Sequence, residues 1–174
     1  MNLNNFVPEE YKKSVIDINY KKLKLDGIDC ILFDLDNTLI DANQNILPVE
    51  IENKLYELKK DFKLIIVSNN FSTRIKAICD IIDIEFVSFS MKPLTCKLNS
   101  KIRKYKFSKR KVCIIGDQLM TDILVGKRLG IKTILVDPVS QNDLKITKIN
   151  RFLEKIIFQK LKKQNLLERG IYYE

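Results

Sequence analysis

A chain of 174 residues, 45% hydrophobic and 30% charged, is long enough for one domain with a substantial core and has the balance of a soluble globular protein. Its net charge of +9, supplied mostly by lysine, favours anionic partners: phosphorylated molecules, nucleic acid or an anionic membrane surface. The absence of histidine excludes serine–histidine triads, phosphohistidine chemistry and His-ligated zinc, so any catalysis rests on Asp, Glu, Lys, Ser, Thr, Tyr or Cys.

Residues 8–16 read as a short helix, with Pro8 suited to its first turn. After Asp26-Gly27, short β-branched runs predict strands over 30–34, 63–68, 84–88, 112–116 and 132–136. Between and after them, helical patterns cover 48–60, 71–82, 94–106, 120–129 and 146–164, with Pro48 and Pro93 at helix starts and Gly130 at a helix end. This alternation predicts an α/β fold: a mainly parallel five-stranded sheet flanked by helices, in a single domain over residues 1–174. Cys30, Cys79, Cys96 and Cys113 form no C-x-x-C pair and read as buried structural thiols of a reducing compartment. No run of 18 apolar residues is present, and the first residues lack a basic start and an apolar stretch, so a cytoplasmic protein is expected.

In such sheets ligands sit outside the carboxyl ends of the strands. Asp34 ends the first predicted strand, followed closely by Asp36 and Thr38; Ser68 ends the second, Lys92 follows the third, and Gly116-Asp117 end the fourth, with Asp122 just beyond. Side chains alternate along a strand, so Asp34, Asp36 and Thr38 can converge on one side of the chain. Neighbouring buried carboxylates repel, so they need a cation or a shared proton. Alone, D-x-D-x-T is a weak motif; four strand ends delivering acids, a hydroxyl and an ammonium are a stronger signal. The set suits phosphoryl transfer. Asp34 is the candidate nucleophile and Asp36 the general acid, then base. Asp34, Asp117 and Asp122 offer hard oxygens to Mg²⁺. Thr38 orients the loop or the phosphate, Ser68 and the Asn69 and Asn70 amides donate to phosphate, and Lys92 neutralises its oxygens.

These residues resemble the four motifs of the haloacid dehalogenase (HAD) superfamily: Asp34-x-Asp36-x-Thr38, Ser68, Lys92 and Gly116-Asp117-x-x-x-x-Asp122. The longer strings Phe33-Asp34-Leu35-Asp36-Asn37-Thr38-Leu39, Ile66-Val67-Ser68-Asn69-Asn70 and Thr133-Ile134-Leu135-Val136-Asp137-Pro138-Val139 are similar to subfamily IIIA, and to its YqeG-like family. The resemblance implies a three-layer Rossmann-like sheet and Mg²⁺-dependent hydrolysis of a phosphomonoester through an aspartyl-phosphate, with the Asp36 main-chain carbonyl among the metal ligands. It also implies kinship with phosphatidylglycerophosphate phosphatases. Asp137 departs from the family pattern, which is apolar there.

Only eleven residues separate Asp36 from Pro48, and a helix and a strand fill the space between Ser68 and Lys92, so no cap domain is expected. An open site suits a phosphate on something large, such as a lipid headgroup. Residues 144–169 hold eight Lys or Arg against Glu154 and Glu168, a net +6, while Ile149, Phe152, Leu153, Ile156, Ile157 and Leu161 follow helical spacing. Such a basic amphipathic helix can pack on the sheet, meet the inner face of an anionic membrane, or do both. No nucleic-acid module is recognisable. A soluble phosphometabolite or phosphoprotein substrate, or a non-catalytic interaction module, stays open from the residues alone.

Overall fold

Alternation along the apolar runs builds the molecule in three layers. The computed structural model describes residues 2–70, 73–140 and 147–174. Six parallel strands, β1 (Glu10–Lys12), β2 (Cys30–Asp34), β3 (Lys63–Val67), β4 (Glu85–Val87), β5 (Val112–Gly116) and β6 (Lys132–Val136), form one open sheet in the order β1-β6-β5-β2-β3-β4. In β2, Ile31 and Phe33 join one core cluster and Cys30 and Leu32 the other; β3 and β5 divide their side chains in the same way. One layer holds Leu23 of α1 (Tyr20–Leu25), Leu55 and Leu58 of α2 (Val49–Leu58), and Ile75, Ile78 and Ile82 of α3 (Thr73–Ile82). The other holds Leu98 and Ile102 of α4 (Cys96–Lys104) and Val125 and Leu129 of α5 (Leu124–Leu129). Both faces are therefore covered, which is why the central strands read as unbroken apolar runs.

The sheet has one strand more than the five expected. The helix expected over residues 8–16 is instead the edge strand β1, in register with β6 from Glu10↔Ile134 to Lys12↔Val136, followed by a 3₁₀ turn at Val15–Asp17. Tyr11 also makes an antiparallel bridge to Tyr173, so the C-terminal tail closes over the edge. The departure at Asp137 has its explanation here: its carboxylate accepts from the hydroxyls of Tyr11 and Tyr172, clasping β1 and the tail to the end of β6. Helix α1 carries no strong sequence signal. The helix expected over 120–129 opens with a wide π turn at Leu119–Ile123, where the Ile123 N–H donates to the Gln118 carbonyl at 3.2 Å, before α5 begins.

The basic C-terminal segment forms α6 (Thr147–Lys163). Ile157 and Leu161 are buried with Phe6, Tyr11, Leu119, Ile123 and Leu135, whereas Leu153 and Ile156 remain exposed. The apolar stripe thus serves packing over its second half. Residues 71, 72 and 144–146 of the expected helices and basic segment, and the side chains of Lys148, Ile149, Arg151 and Phe152, lie outside the described residues. Cys30, Cys79 and Cys113 are buried free thiols, but Cys96, at the start of α4, is exposed.

Candidate active site

Parallel strands align their carboxyl ends, and the sheet order places β5, β2, β3 and β4 side by side. Asp34 therefore closes β2 between Gly116 at the end of β5 and Ser68 just after β3, while the segment after β4 carries Lys92 inward. The Lys92 ammonium, fully buried, lies 2.6 Å from Asp34 Oδ1 and 2.6 Å from Asp122 Oδ1, and donates also to the Val67 carbonyl at 3.1 Å. The Asp122 carboxylate in turn accepts from the Gln118 N–H and the Thr121 hydroxyl, each at 3.2 Å. These contacts draw Asp122 back toward the start of the π turn, where the wider turn makes room for it. From α6, Glu154 accepts the Leu119 N–H and ties down the same turn.

Gly116 is required by this approach. A Cβ at that position would sit 2.3 Å from Asp122 Cγ, far inside contact distance, so no larger residue fits while Asp122 stays on Lys92.

Thr38 reaches the site by a different route from the strand alternation expected for it. The chain leaves β2 at Asp34 and turns back, with Asn37 at φ 63° and the Thr38, Leu39 and Ile40 amides all donating to the Leu35 carbonyl. The turn brings Thr38 Oγ1 within 3.2 Å of Asp34 Oδ2 and 3.4 Å of Asp117 Oδ1. Asp36 points the other way: its Oδ2 accepts from Asn70 Nδ2 at 2.8 Å, with Ser68 Oγ 3.5 Å away. Ser68 Oγ accepts the Asn70 N–H at 3.1 Å. The Asn69 side chain is occupied by the Lys92 segment. Its Oδ1 accepts from Ser90 Oγ (2.7 Å) and the Lys92 N–H (2.8 Å), and its Nδ2 donates to the Lys92 carbonyl (2.9 Å). Asn69 thus sets the position of Lys92 through its main chain. The roles of the Asn69 and Asn70 side chains, and of the missing side chain at Gly116, have no sequence signal beyond their place at strand ends.

The electrostatics follow from burial. Desolvation, opposed by Lys92 and reinforced by Asp122, pushes the Asp34 carboxyl from 3.8 up to about 7. Burial disfavours the Lys92 ammonium too, but Asp122 and Asp34 outweigh it and hold its proton more tightly than in a free lysine. Ligand oxygens of Asp34, Asp117 and Asp122, all buried, lie within 4.8 Å of one another. Three carboxylates against one ammonium leave an excess of negative charge that a divalent cation would neutralise, and hard carboxylate oxygens suit Mg²⁺ or Ca²⁺. Chemically, the arrangement brings the buried Asp34 carboxyl and the Lys92 ammonium together at the carboxyl ends of the central strands, with the Asp36 carboxyl on the opposite side of the turn.

Comparisons with known proteins identify what the chain is similar to. A family model described as mitochondrial PGP phosphatase matches residues 2–140. The chain is 38% identical over 165 residues to the probable phosphatase YqeG of Bacillus subtilis (strain 168), spanning 94% of this chain and 95% of that protein. Among solved structures, a HAD-like family hydrolase from Porphyromonas gingivalis superposes with a TM-score of 0.54 at 16% identity, over 73% of this chain and 98% of that one. A HAD family enzyme from Bacteroides thetaiotaomicron, crystallised with magnesium and inorganic phosphate, gives a TM-score of 0.52 at 15% identity, over 70% of this chain and all (100%) of that one. At these identities the two structures speak for the fold.

Proposed function

Because the chain belongs to the mitochondrial PGP phosphatase family of HAD-type phosphatases, we propose that it is a Mg²⁺-dependent phosphomonoester hydrolase whose substrate is phosphatidylglycerophosphate. The observation that carries the chemistry is the convergence of Asp34, Asp117, Asp122 and Lys92 from separate strand ends within hydrogen-bonding or metal-sharing distance. In this reading one Asp34 carboxylate oxygen attacks phosphorus, and Asp36 gives a proton to the departing glycerol oxygen. Asp36 then takes a proton from the water that hydrolyses the aspartyl-phosphate, which releases inorganic phosphate and restores both acids. Lys92 balances the charge of the transferred group, and Ser68, Thr38 and the amides after Ser68 hold its oxygens. Asp34, Asp117, Asp122 and the Asp36 main-chain carbonyl would hold the Mg²⁺, which when bound offsets the charge of the acids and the phosphate.

Two features support a lipid substrate. Among the described residues no cap domain interrupts the chain after β2 or β3, so the site can admit a headgroup still seated in a bilayer. On α6, Lys155, Lys160 and Lys163 are exposed, and basic residues at an anionic surface contribute about 1 kcal/mol each, in a salt-sensitive way. No helix among the described residues is long and apolar enough to cross a membrane, so contact would be peripheral. The test is release of inorganic phosphate from detergent-dispersed phosphatidylglycerophosphate with Mg²⁺. Asp34→Asn should abolish it while the far-UV circular dichroism stays unchanged. Retained turnover in that variant would remove Asp34 as nucleophile, and faster hydrolysis of soluble sugar phosphates by the wild type would remove the lipid.

A further inference from the structure

Positive charge gathers in a segment whose charged side chains take no part in the site. Residues 97–111 hold eight Lys or Arg and no Asp or Glu, a net +8 against +9 for the whole chain. They make up most of α4, the turn after it and a 3₁₀ turn at Lys109–Lys111. The partial negative charge at a helix C-terminus accounts for Lys101, Arg103 and Lys104, in the last turn of α4. It does not account for Lys106, Lys109, Arg110 and Lys111, which lie beyond the helix. Lys106 holds left-handed backbone, at φ 56°, just past the helix end, where glycine or asparagine is relaxed. A lysine there keeps its charge at a conformational cost.

Little of this charge is neutralised within the fold. Glu85 pairs with Lys101 and stands 3.9 Å from Lys104, and Asp29 pairs with Lys111 at 2.8 Å. Among the described residues no carboxylate pairs with Arg103, Lys106, Lys109 or Arg110, all of them exposed. Beside them the Tyr105 ring has Lys63, Lys101 and Lys104 around it, at 4.8, 6.0 and 5.7 Å from its centre. Leu98 and Ile102 turn inward, and no large apolar side chain between residues 97 and 111 is exposed, so the surface offers charge but nothing to insert into hydrocarbon. It also lies away from the site. Lys111 precedes β5 and Asp117 follows it, which at about 3.3 Å per residue sets them about 20 Å apart at opposite ends of one strand. A bilayer seated on Lys109 and Arg110 would leave Asp34 and Asp117 on the side turned from the lipid. A long phosphate polymer needs neither an apolar anchor nor the site.

We propose that Arg103, Lys106, Lys109 and Arg110 form a binding surface for the phosphodiester backbone of a nucleic acid, held by charge and independent of base sequence. The site at the other end of the strands stays open while this surface is occupied. The proposal is independent of the lipid-substrate reading above.

Fluorescence anisotropy with end-labelled single-stranded RNA, an RNA hairpin and duplex DNA, all of mixed sequence, tests it and shows which form binds best. Four contacts to a single strand predict that wild type loses about fiftyfold in affinity between about 50 and about 200 mM salt. Lys106→Asn/Lys109→Gln/Arg110→Gln, with one contact left, should lose only about threefold over that range and bind about tenfold or more weakly at the lower salt. This variant should keep wild-type circular dichroism and hydrolysis of a soluble aryl phosphate. Lys155→Gln/Lys160→Gln/Lys163→Gln, which removes as much charge from α6, should bind nucleic acid as wild type does. Equal weakening by the two triple variants would make binding a matter of net charge and overturns the surface, as does failure of wild type to bind any of the three oligomers at the lower salt. An oligomer that competitively inhibits aryl phosphate hydrolysis would lie in the site, which overturns it too. Adsorption to phosphatidylglycerol vesicles that falls in the Lys106/Lys109/Arg110 variant while its nucleic-acid binding stays unchanged would give the surface to a bilayer. Tighter binding of poly-glutamate than of any oligomer would give it to an acidic protein, and either result overturns the proposal.

Discussion

Replacing Lys92 by methionine tests the charge balance at the centre of the site. The ammonium touches Asp34 and Asp122 at 2.6 Å each, and the three side chains are only 2%, 11% and 1% exposed. Removing one member of a buried ion pair costs about 3–5 kcal/mol, because the remaining charge stays desolvated; here two carboxylates are left. Methionine is unbranched and of similar length, so the packing term is small by comparison. Asp34, whose carboxyl burial already pushes up to about 7, can limit the loss by binding a proton, and each pH unit toward acid reduces it by about 1.4 kcal/mol. Denaturant unfolding in EDTA, followed by circular dichroism, should therefore show a loss of about 3–5 kcal/mol at alkaline pH and a smaller one at mildly acidic pH. Mg²⁺ should then stabilise the variant more than the wild type, since the ion would meet the carboxylates without a competing ammonium. Equal midpoints in EDTA at alkaline pH, or an identical loss at both pH values, would refute the account of the site as excess negative charge balanced by one lysine.

Three other outcomes are expected. Burial and Asp122 hold Asp34 at about 7 against 3.8 for a free carboxyl, so the folded chain keeps a proton there that the unfolded chain has released. Its contribution to stability in EDTA is complete below 3.8, declines as pH rises and is gone above about 7, and the stability difference between wild type and Asp34→Asn should follow that course; a flat difference would remove the desolvation argument. Gly116→Ala places a methyl 2.3 Å from Asp122 Cγ, and should push that carboxylate off Lys92 and raise the Mg²⁺ concentration needed for activity while leaving secondary structure intact; an unchanged Mg²⁺ dependence would contradict it. Asp137→Val removes the acceptor shared by Tyr11 and Tyr172, and urea unfolding should show a loss of about 1–3 kcal/mol if the clasp on β1 holds.

The central strands are legible in the sequence because both faces of the sheet are covered, so Cys30 to Phe33 and Val112 to Ile115 are apolar at every position. Strand β1 is not legible for the opposite reason. Glu10 and Lys12 flank a single Tyr11, and the pairing that makes them a strand comes from β6 and from Tyr173, both distant in sequence. The π turn hides in the same way: its apolar spacing matches an α-helix, and the widening depends on where Gln118, Thr121 and Lys92 hold Asp122. The acids of the site stand out because carboxylates at the ends of dry strands are costly. The side-chain roles of Asn69 and Asn70 do not, since two asparagines after a strand offer their amides to a ligand but otherwise read as an ordinary turn. The C-terminal pattern is ambiguous by its physics. The same apolar stripe serves a membrane or a core, and only the position of Phe6, Leu119 and Leu135 decides that Ile157 and Leu161 pack inward.

The two jobs of the sheet are separable, and this bears on how the protein could be retuned. Register is set by apolar side chains: Asp34 stands opposite Val67, and Phe33 opposite Ile115. A slip of one residue would turn Ile31 and Phe33 into the wrong layer and carry Asp34 away from Lys92 and Asp122 together. The acids thus take their places from a core they do not stabilise, and Lys92 returns part of the cost. The main chain of the Lys92 segment is fixed from within by Asn69, while Met91 and Leu94 lie exposed on its outer side. Substitutions at Met91 and Leu94 should therefore leave Lys92 in its place between Asp34 and Asp122.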